Sequence, residues 1–313
     1  MNKTNNMKVF AGSQSRPLGE KICEKLGVEL GHMNIQHFAD GEFTVSFEES
    51  IRGADVFLVQ STMPSSANLM ELLLMMDAAK RASAKSINAV LPYFGWARQD
   101  RKDKPRVAIG AKLIADMMSV AGMTRLVTMD LHADQIQGFF DVPVDHLYAS
   151  TVFSDHIKTM GLKNLVIASP DVGGVKRANT YAKYFEVPLV ICHKFRERAN
   201  EVAEMRIIGD VEGKDVILID DMVDTAGTIT KAADLMMSNG ANSVRAIVSH
   251  AILSHPAHER IEKSSLKEMI FTDSIPLKRG SEKFKVLTVA DIFATAVRNV
   301  VDNKSISSMY IMK

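Results

Sequence analysis

The sequence predicts an α/β protein built from two tandem copies of one domain, each a mainly parallel sheet flanked by helices. Three observations predict it. Short runs rich in Val, Ile and Leu alternate with longer helical segments, and those runs are apolar throughout, as in strands buried on both faces. The chain also resembles itself. GADVFLVQ from Gly53 matches GKDVILID from Gly213 at an offset of 160, while Ile87 falls on Val244 and Val9 on Val166 at 157. Finally, 313 residues suit two domains of ordinary size.

Taken in order, MKVFA (7–11) and DVFLVQ (55–60) read as strands. LMELLLMMDAAK (69–80) reads as a helix, and its methionines as core filling, not as a cofactor box. INAVLPY (87–93) and RLVTMDL (125–131) continue the first sheet. The boundary is expected within Leu147–Ser154, after PVDHLYAS, giving domains 1–148 and 149–313. The second copy then runs NLVIASP (164–170), VPLVICH (187–193), DVILIDD (215–221), the turn TAGT (225–228) opening the helix ITKAADLMM (229–237), and VRAIVSH (244–250).

Composition excludes several classes. With 46% hydrophobic and 24% charged residues, no apolar run approaches the ~18 residues of a membrane span. MNKTNNMKVF has no apolar segment of the secretory type, so no signal peptide is expected. A formal charge of +1 gives no general attraction to nucleic acid or anionic lipid, so anion binding must be local. Cys23 and Cys192 form no CxxC pair, which suits a reducing cytoplasm and argues against a cysteine zinc site.

The two copies differ where ligands bind parallel sheets, beyond the carboxyl ends of strands. The second copy carries DDMVDTAGT; the first carries QSTMPSSAN, without acids. TAGT ahead of a helix is a small-residue anion cradle, with Thr225 and Thr228 as added donors. Asp220 and Asp221 would repel that anion, but they can accept hydrogen bonds from sugar hydroxyls or hold Mg²⁺. Together these are the requirements of a ribose 5-phosphate, although a capped turn has the same pattern. KFRERAN (194–200) is a basic segment able to close over a polyphosphate, and taken alone it equals a solvated charged loop. PYFGWARQDRKDKPR (92–106) interleaves aromatics with arginines, as a nucleotide loop or an RNA-contacting loop would. His132 in TMDLHADQIQGFF and Asp171 in SPDVGGVKRA sit at strand ends and could share a hard metal, while FADGEF (38–43) has the form of a hairpin turn.

In this order, FADGE, PYFGWARQDR, DLHADQIQGFF, SPDVGGVKRA, KFRERAN and IDDMVDTAGT resemble the ribose-phosphate pyrophosphokinases (PRPP synthetases) of the phosphate-regulated class, from about Met7 to the C-terminus. The resemblance implies two phosphoribosyltransferase-like (type I) domains. It also implies transfer of a diphosphoryl group from ATP to ribose 5-phosphate, giving PRPP for nucleotide, histidine and tryptophan synthesis, and AMP, with Mg²⁺ required. It implies that Asp220 and Asp221 address ribose hydroxyls and Mg²⁺, and that Asp224, Thr225, Ala226, Gly227 and Thr228 form the 5-phosphate loop. His132 and Asp171 would be metal-associated, and Lys194 and Arg196 would stabilise the transition state, Arg196 also contacting ribose 5-phosphate. Arg98 and Gln99 would contact ATP, as would Phe38, Asp40, Gly41 and Glu42, reaching in from a neighbouring subunit of a homo-oligomer, usually a hexamer. Ser305 and Ser307 resemble the serines that bind regulatory phosphate or ADP. The chain departs from many relatives at Ala226, where they carry Gly or Cys, and at Ala108 and Gly110, where Pro and Ser or Thr are frequent. Two rivals remain at this point: a type I phosphoribosyltransferase, and a non-catalytic associated subunit or PRPP-sensing protein.

Overall fold

In the computed structural model, which describes residues 6–195 and 204–309, the chain divides into two compact units. The first holds residues 6–148 with Ser274–Pro276 and Val289–Met309; the second holds residues 149–273 with Leu277–Thr288. No helix among the described residues is long and apolar enough to cross a membrane.

The first unit begins with β1 (Met7–Ala11) and α1 (Arg16–Leu26), which ends on Gly27 in the left-handed region. β2 (Met33–His37) and β3 (Phe43–Phe47) form a separate antiparallel hairpin. β4 (Asp55–Val59), α2 (Ala67–Arg81), β5 (Ser86–Leu91), α3 (Gly110–Ala121), β6 (Arg125–Met129) and β7 (Val144–Leu147) follow. The sheet order is β1-β4-β5-β6-β7, every pair parallel. Val56, Phe57, Leu58 and Val59 of β4 are all 0% exposed, because helices cover both faces of the sheet. Met75 and Met76 of α2 are likewise fully buried, which is the core-filling role expected of them.

The second unit contains α4 (Ser150–Thr159), β8 (Leu165–Ser169), α5 (Val175–Phe185), β9 (Leu189–Phe195), β10 (Glu204–Ile208), β11 (Asp215–Val223), α6 (Gly227–Ser238), β12 (Ser243–Ala251), α7 (Ala257–Lys263), β13 (Glu268–Thr272) and β14 (Phe284–Leu287). Its sheet order is β10-β9-β8-β11-β12-β13-β14, parallel except for the β9–β10 edge pair. The run β8-β11-β12-β13-β14 repeats the first unit's β1-β4-β5-β6-β7. Asp55 lies opposite Met7 and Ser86, and Asp215 opposite Leu165 and Ser243. The offsets are therefore 160 for the central strand, 157 for the next and 158 for the first, one residue from the sequence alignment at β1.

Two expectations need correction. The expected second domain, 149–313, includes α8 (Ala290–Asp302), yet α8 belongs to the first unit, where it packs on α1. Arg298 Nη2 donates to the Leu26 carbonyl at 2.8 Å, supplying one acceptor left open at the end of α1. The acids of DVILIDD do not end their strand either. β11 pairs with β12 as far as Val223–Ala251, whereas its pairing with β8 stops at Leu218–Ala168, before Pro170. Asp220 and Asp221 thus sit where β11 has lost its neighbour on one side and kept it on the other.

Candidate active site

In the second unit the acid pair is held against Arg177 of α5. Arg177 Nη1 lies 3.0 Å from Asp221 Oδ1 and 3.9 Å from Asp220 Oδ1. Asp220 Oδ1 also accepts the Asp221 backbone N–H at 2.9 Å. Asp221 is buried, while the Asp220 side chain keeps 22% of its exposure. Burial first, and then the Asp221 charge, push the Asp220 carboxyl well above its usual range, with Arg177 opposing.

Beyond the strand, Ala226 caps α6 in the left-handed region at φ 58°, and the helix starts at Gly227. The positive end of the helix dipole therefore falls at this turn, beside Thr225 and Thr228. Arg260 Nη1 donates to the Thr225 carbonyl at 2.9 Å, and a Cβ on Gly227 would meet that guanidinium nitrogen at 3.1 Å. Thr230 Oγ1 donates to the Ala226 carbonyl at 2.7 Å, tying the turn to the helix. Asp224 is half-buried between acid pair and turn.

Asp171 follows β8, and its Oδ1 accepts the Gly174 N–H at 3.1 Å, at the entry to α5. The Ser169 hydroxyl donates to the Asp171 carbonyl at 2.6 Å and lies 2.8 Å from where a Cβ on Gly174 would fall, so this turn excludes a larger residue. Cys192, buried in β9, has its thiol pushed up to about 11 by burial and by the Asp171 charge; burial, with help from Glu20, does the same for Cys23. Both thiols are therefore protonated at neutral pH. Lys194 belongs to β9, with its side chain outside the described residues, and Arg196 lies outside them altogether.

The first unit brings two of the sequence segments together. Arg98 and Gln99 are exposed on the loop after β5, and His132 is exposed after β6. Gln135 Nε2 donates to Asp100 at 3.1 Å, and Phe94 packs edge-on against Phe140 at 5.7 Å between ring centroids. His146, buried on β7, accepts the Leu131 N–H through Nε2 at 2.9 Å and so fixes the backbone immediately before His132. Phe38, Asp40, Gly41 and Glu42 form the exposed tip of the β2–β3 hairpin, closed by the Phe38 N–H on the Glu42 carbonyl and the Glu42 N–H on Asp40 Oδ1. His132 falls in the first unit and Asp171 in the second; no group of three or more His, Cys, Asp or Glu gathers among the described residues.

Ser305 lines a cavity of about 370 Å³ in the first unit, with Arg125, Asp145, Asn299, Asn303 and Lys304. Its hydroxyl accepts the Ser307 N–H at 3.1 Å and contacts the Ser307 hydroxyl at 3.0 Å.

Arg177 and His146 were missed at the level of sequence. Arg177 stands inside the quoted segment SPDVGGVKRA, but its partner Asp221 is 44 residues away in sequence and only the α5–β11 crossover joins them. His146 has no local signal beyond a histidine in a short strand.

Comparisons with known proteins agree with this arrangement. Residues 7–122 match the model for the N-terminal domain of ribose phosphate pyrophosphokinase, and residues 195–311 the phosphoribosyl synthetase-associated domain. A ribose-phosphate pyrophosphokinase from Porphyromonas gingivalis is 71% identical over 311 residues, covering 99% of both chains. One from Wolinella succinogenes is 54% identical over 305 residues, covering 97% of this chain and 99% of its own. The crystal structure of phosphoribosylpyrophosphate synthetase from Mycobacterium smegmatis superposes with a TM-score of 0.91 at 40% identity, over 95% of this chain and 99% of that one. With two family models on its two halves and relatives matching it end to end, the chain belongs to the ribose-phosphate pyrophosphokinase family.

Proposed function

We infer that the chain transfers the β,γ-diphosphoryl group of ATP to the C1 hydroxyl of D-ribose 5-phosphate, giving 5-phospho-α-D-ribose 1-diphosphate and AMP. The C1 oxygen attacks the β-phosphorus, the bond from that phosphorus to the α,β-bridging oxygen breaks, AMP leaves with the oxygen, and the hydroxyl proton passes to solvent. Such a step demands alignment and charge neutralisation more than covalent chemistry from the protein. The observation that carries the reading is the Asp220–Asp221 pair on Arg177, followed at once by the Ala226 turn and the N-terminus of α6. The acids accept the ribose hydroxyls, and the loop Asp224–Thr228 holds the 5-phosphate. Arg98 and Gln99 contact ATP, joined by Phe38, Asp40, Gly41 and Glu42 of a second copy in a homo-oligomer, taken to be a hexamer. Lys194 and Arg196 neutralise the charge developing on the transferred group, Arg196 also contacting ribose 5-phosphate.

The donor set at the acid pair fits Mg²⁺. It is made of hard carboxylate oxygens, and one of the two acids is held above its usual range although Arg177 and the Asp221 backbone N–H oppose this. Asp220 and Asp221 would hold one ion, and His132 and Asp171 would associate with another near the ATP phosphates. When bound, Mg²⁺ neutralises polyphosphate charge. The cavity beside Ser305, with Arg125 and Lys304 on its wall, supports phosphate or ADP as regulators through Ser305 and Ser307. The free cysteines Cys23 and Cys192 agree with a cytoplasmic, reducing setting.

Purified protein should release AMP from ATP only when ribose 5-phosphate and Mg²⁺ are both present. AMP release without the sugar phosphate, or none with it, would sink this reading. Lys194→Ala should lower kcat by at least about a hundredfold with folding intact, in keeping with lost transition-state charge stabilisation; unchanged turnover removes Lys194 from its role.

A further inference from the structure

The internal repeat places the first unit's strand-end residues in register with the acid pair. β4 and β11 correspond at 160 residues through Asp55 and Asp215, and α2 and α6 start at Ala67 and Gly227, the same distance apart. Gln60 and Ser61 therefore stand where the second unit has Asp220 and Asp221, and Thr62 where it has Met222. The second unit leaves Asp220 partly open; in the first, Gln60, Ser61 and Thr62 are all 0% exposed. A Cβ on Gly12 would lie 2.6 Å from both Gln60 Oε1 and Glu71 Oε1, so these side chains close over the end of β1, and Glu71 is itself bonded to the Ser13 N–H at 2.6 Å. No sugar phosphate can enter there.

The polar groups at these positions act inward instead. Ser61 Oγ accepts the Tyr93 N–H at 3.2 Å and donates to the Ser274 carbonyl at 2.6 Å. Thr62 Oγ1 accepts the Gly95 N–H at 2.8 Å, while the Thr62 N–H donates to the Tyr93 carbonyl at 3.0 Å. Gly95 sits so close that a Cβ would lie 2.0 Å from the Thr62 carbonyl oxygen. Buried Phe94 and Ala97 complete the anchor, and Trp96, at φ 60°, turns the chain so that its carbonyl accepts the Gln99 N–H at 2.9 Å. Two residues bonded by Ser61 and Thr62 thus begin the loop that ends in exposed Arg98 and Gln99.

We propose that Ser61 and Thr62, at the first unit's counterpart of the acid-pair position, are positioning residues that set Tyr93–Gly95 and thereby aim Arg98 and Gln99 at ATP. One half of the repeat keeps this position as a ligand site; the other has turned it into the support of the nucleotide loop. This rests on the assignment of Arg98 and Gln99 to ATP. Thr62→Val keeps the shape and removes the acceptor of the Gly95 N–H, whereas Thr62→Ser keeps the acceptor.

In the full-length protein, Thr62→Val should raise the KM for ATP about five- to tenfold, the effect of one lost buried hydrogen bond. Ribose 5-phosphate affinity, measured by calorimetry without ATP, should stay within about twofold, and Thr62→Ser should restore the ATP KM. An unchanged ATP KM in folded Thr62→Val, or an equal loss of affinity for both substrates, overturns the proposal. If Thr62→Val does not fold, Ser61→Ala, which removes the Tyr93 N–H acceptor, goes through the same measurements and is held to the same criteria. Arg98→Ala separates this from the underlying reading. If Arg98→Ala leaves the ATP KM unchanged, the ATP assignment fails; if it raises the KM while the Thr62 and Ser61 variants do not, only the positioning role fails.

Discussion

Burial and the neighbouring Asp221 carboxylate raise the Asp220 pKa above the ordinary value of 3.8, so the folded chain binds a proton there more tightly than the unfolded chain does. Where the folded state holds more protons, stability falls as pH rises. Above about pH 3.8, where the unfolded chain gives up its proton, Asp220 therefore weakens the fold, and the penalty disappears as pH falls toward that value. Asp220→Asn should raise Tm at neutral pH, on the order of 2–4 °C for a chain of this size, and the gain should shrink toward pH 4. Added Mg²⁺ should stabilise the wild type and have less effect on Asp220→Asn; a difference in Tm that is flat with pH would mean that the charge is not its source. Arg177 is the protein's own answer to the same repulsion. Arg177→Met leaves two acids facing each other at a mostly buried site, and losing one partner of a fully buried pair costs about 3–5 kcal/mol. With Arg177 a quarter exposed, a loss of about 2 kcal/mol is expected, together with a ribose 5-phosphate KM raised about tenfold. Denaturant titration and steady-state kinetics read the two effects separately.

At the scale of the element, the turn into α6 decides the shape of the proposed phosphate cradle. Ala226 is a non-glycine residue at φ 58°, a conformation that costs an L residue roughly 1–2 kcal/mol. Ala226→Gly relieves that strain but frees the unfolded chain, so a net gain of about 0.5 kcal/mol is expected, with ribose 5-phosphate affinity retained. Gly227→Val should instead push the Arg260 guanidinium off the Thr225 carbonyl and raise the ribose 5-phosphate KM; an unchanged KM would show that the turn tolerates a side chain. Eight strands were legible in the sequence because each is an apolar run bounded by turn residues. β7, β10, β13 and β14 were not named; FKVL of β14, for one, is half-exposed, with Lys285 on its surface, and gives no apolar run. The acid pair and the small-residue loop were legible for a local reason, since adjacent residues create both the repulsion and the anion cradle. Arg177 and the Ser61–Thr62 anchor were not, because their partners are brought to them by crossovers and not by sequence spacing.

On the scale of the whole molecule, α8 does not join the unit that precedes it in sequence. The amphipathic face of α8 shows that it packs on something, with Ala290, Phe293, Ala294, Ala296 and Val297 buried, but nothing in that pattern says which half it joins. It joins the first unit, against α1, where Lys25 pairs with Asp291 at 3.1 Å and Arg298 closes the helix end at Leu26. The first 148 residues therefore take part of their cover from α8, far along the sequence. Phe293 is the largest of the buried side chains of α8 and is 0% exposed. Phe293→Ala removes a buried ring, for which losses of about 3–5 kcal/mol are usual. Hydrogen exchange on the intact variant would show where that loss falls: amides of α1 (Arg16–Leu26) should lose protection, while those of α6, in the second unit, should keep theirs. Arg298→Ala should act in the same place more weakly, by about 1 kcal/mol for one hydrogen bond, and chiefly on the last turn of α1. Equal loss of protection in α1 and α6 would mean that the two units open together, and that the C-terminal helix stabilises the whole chain and not the first unit alone.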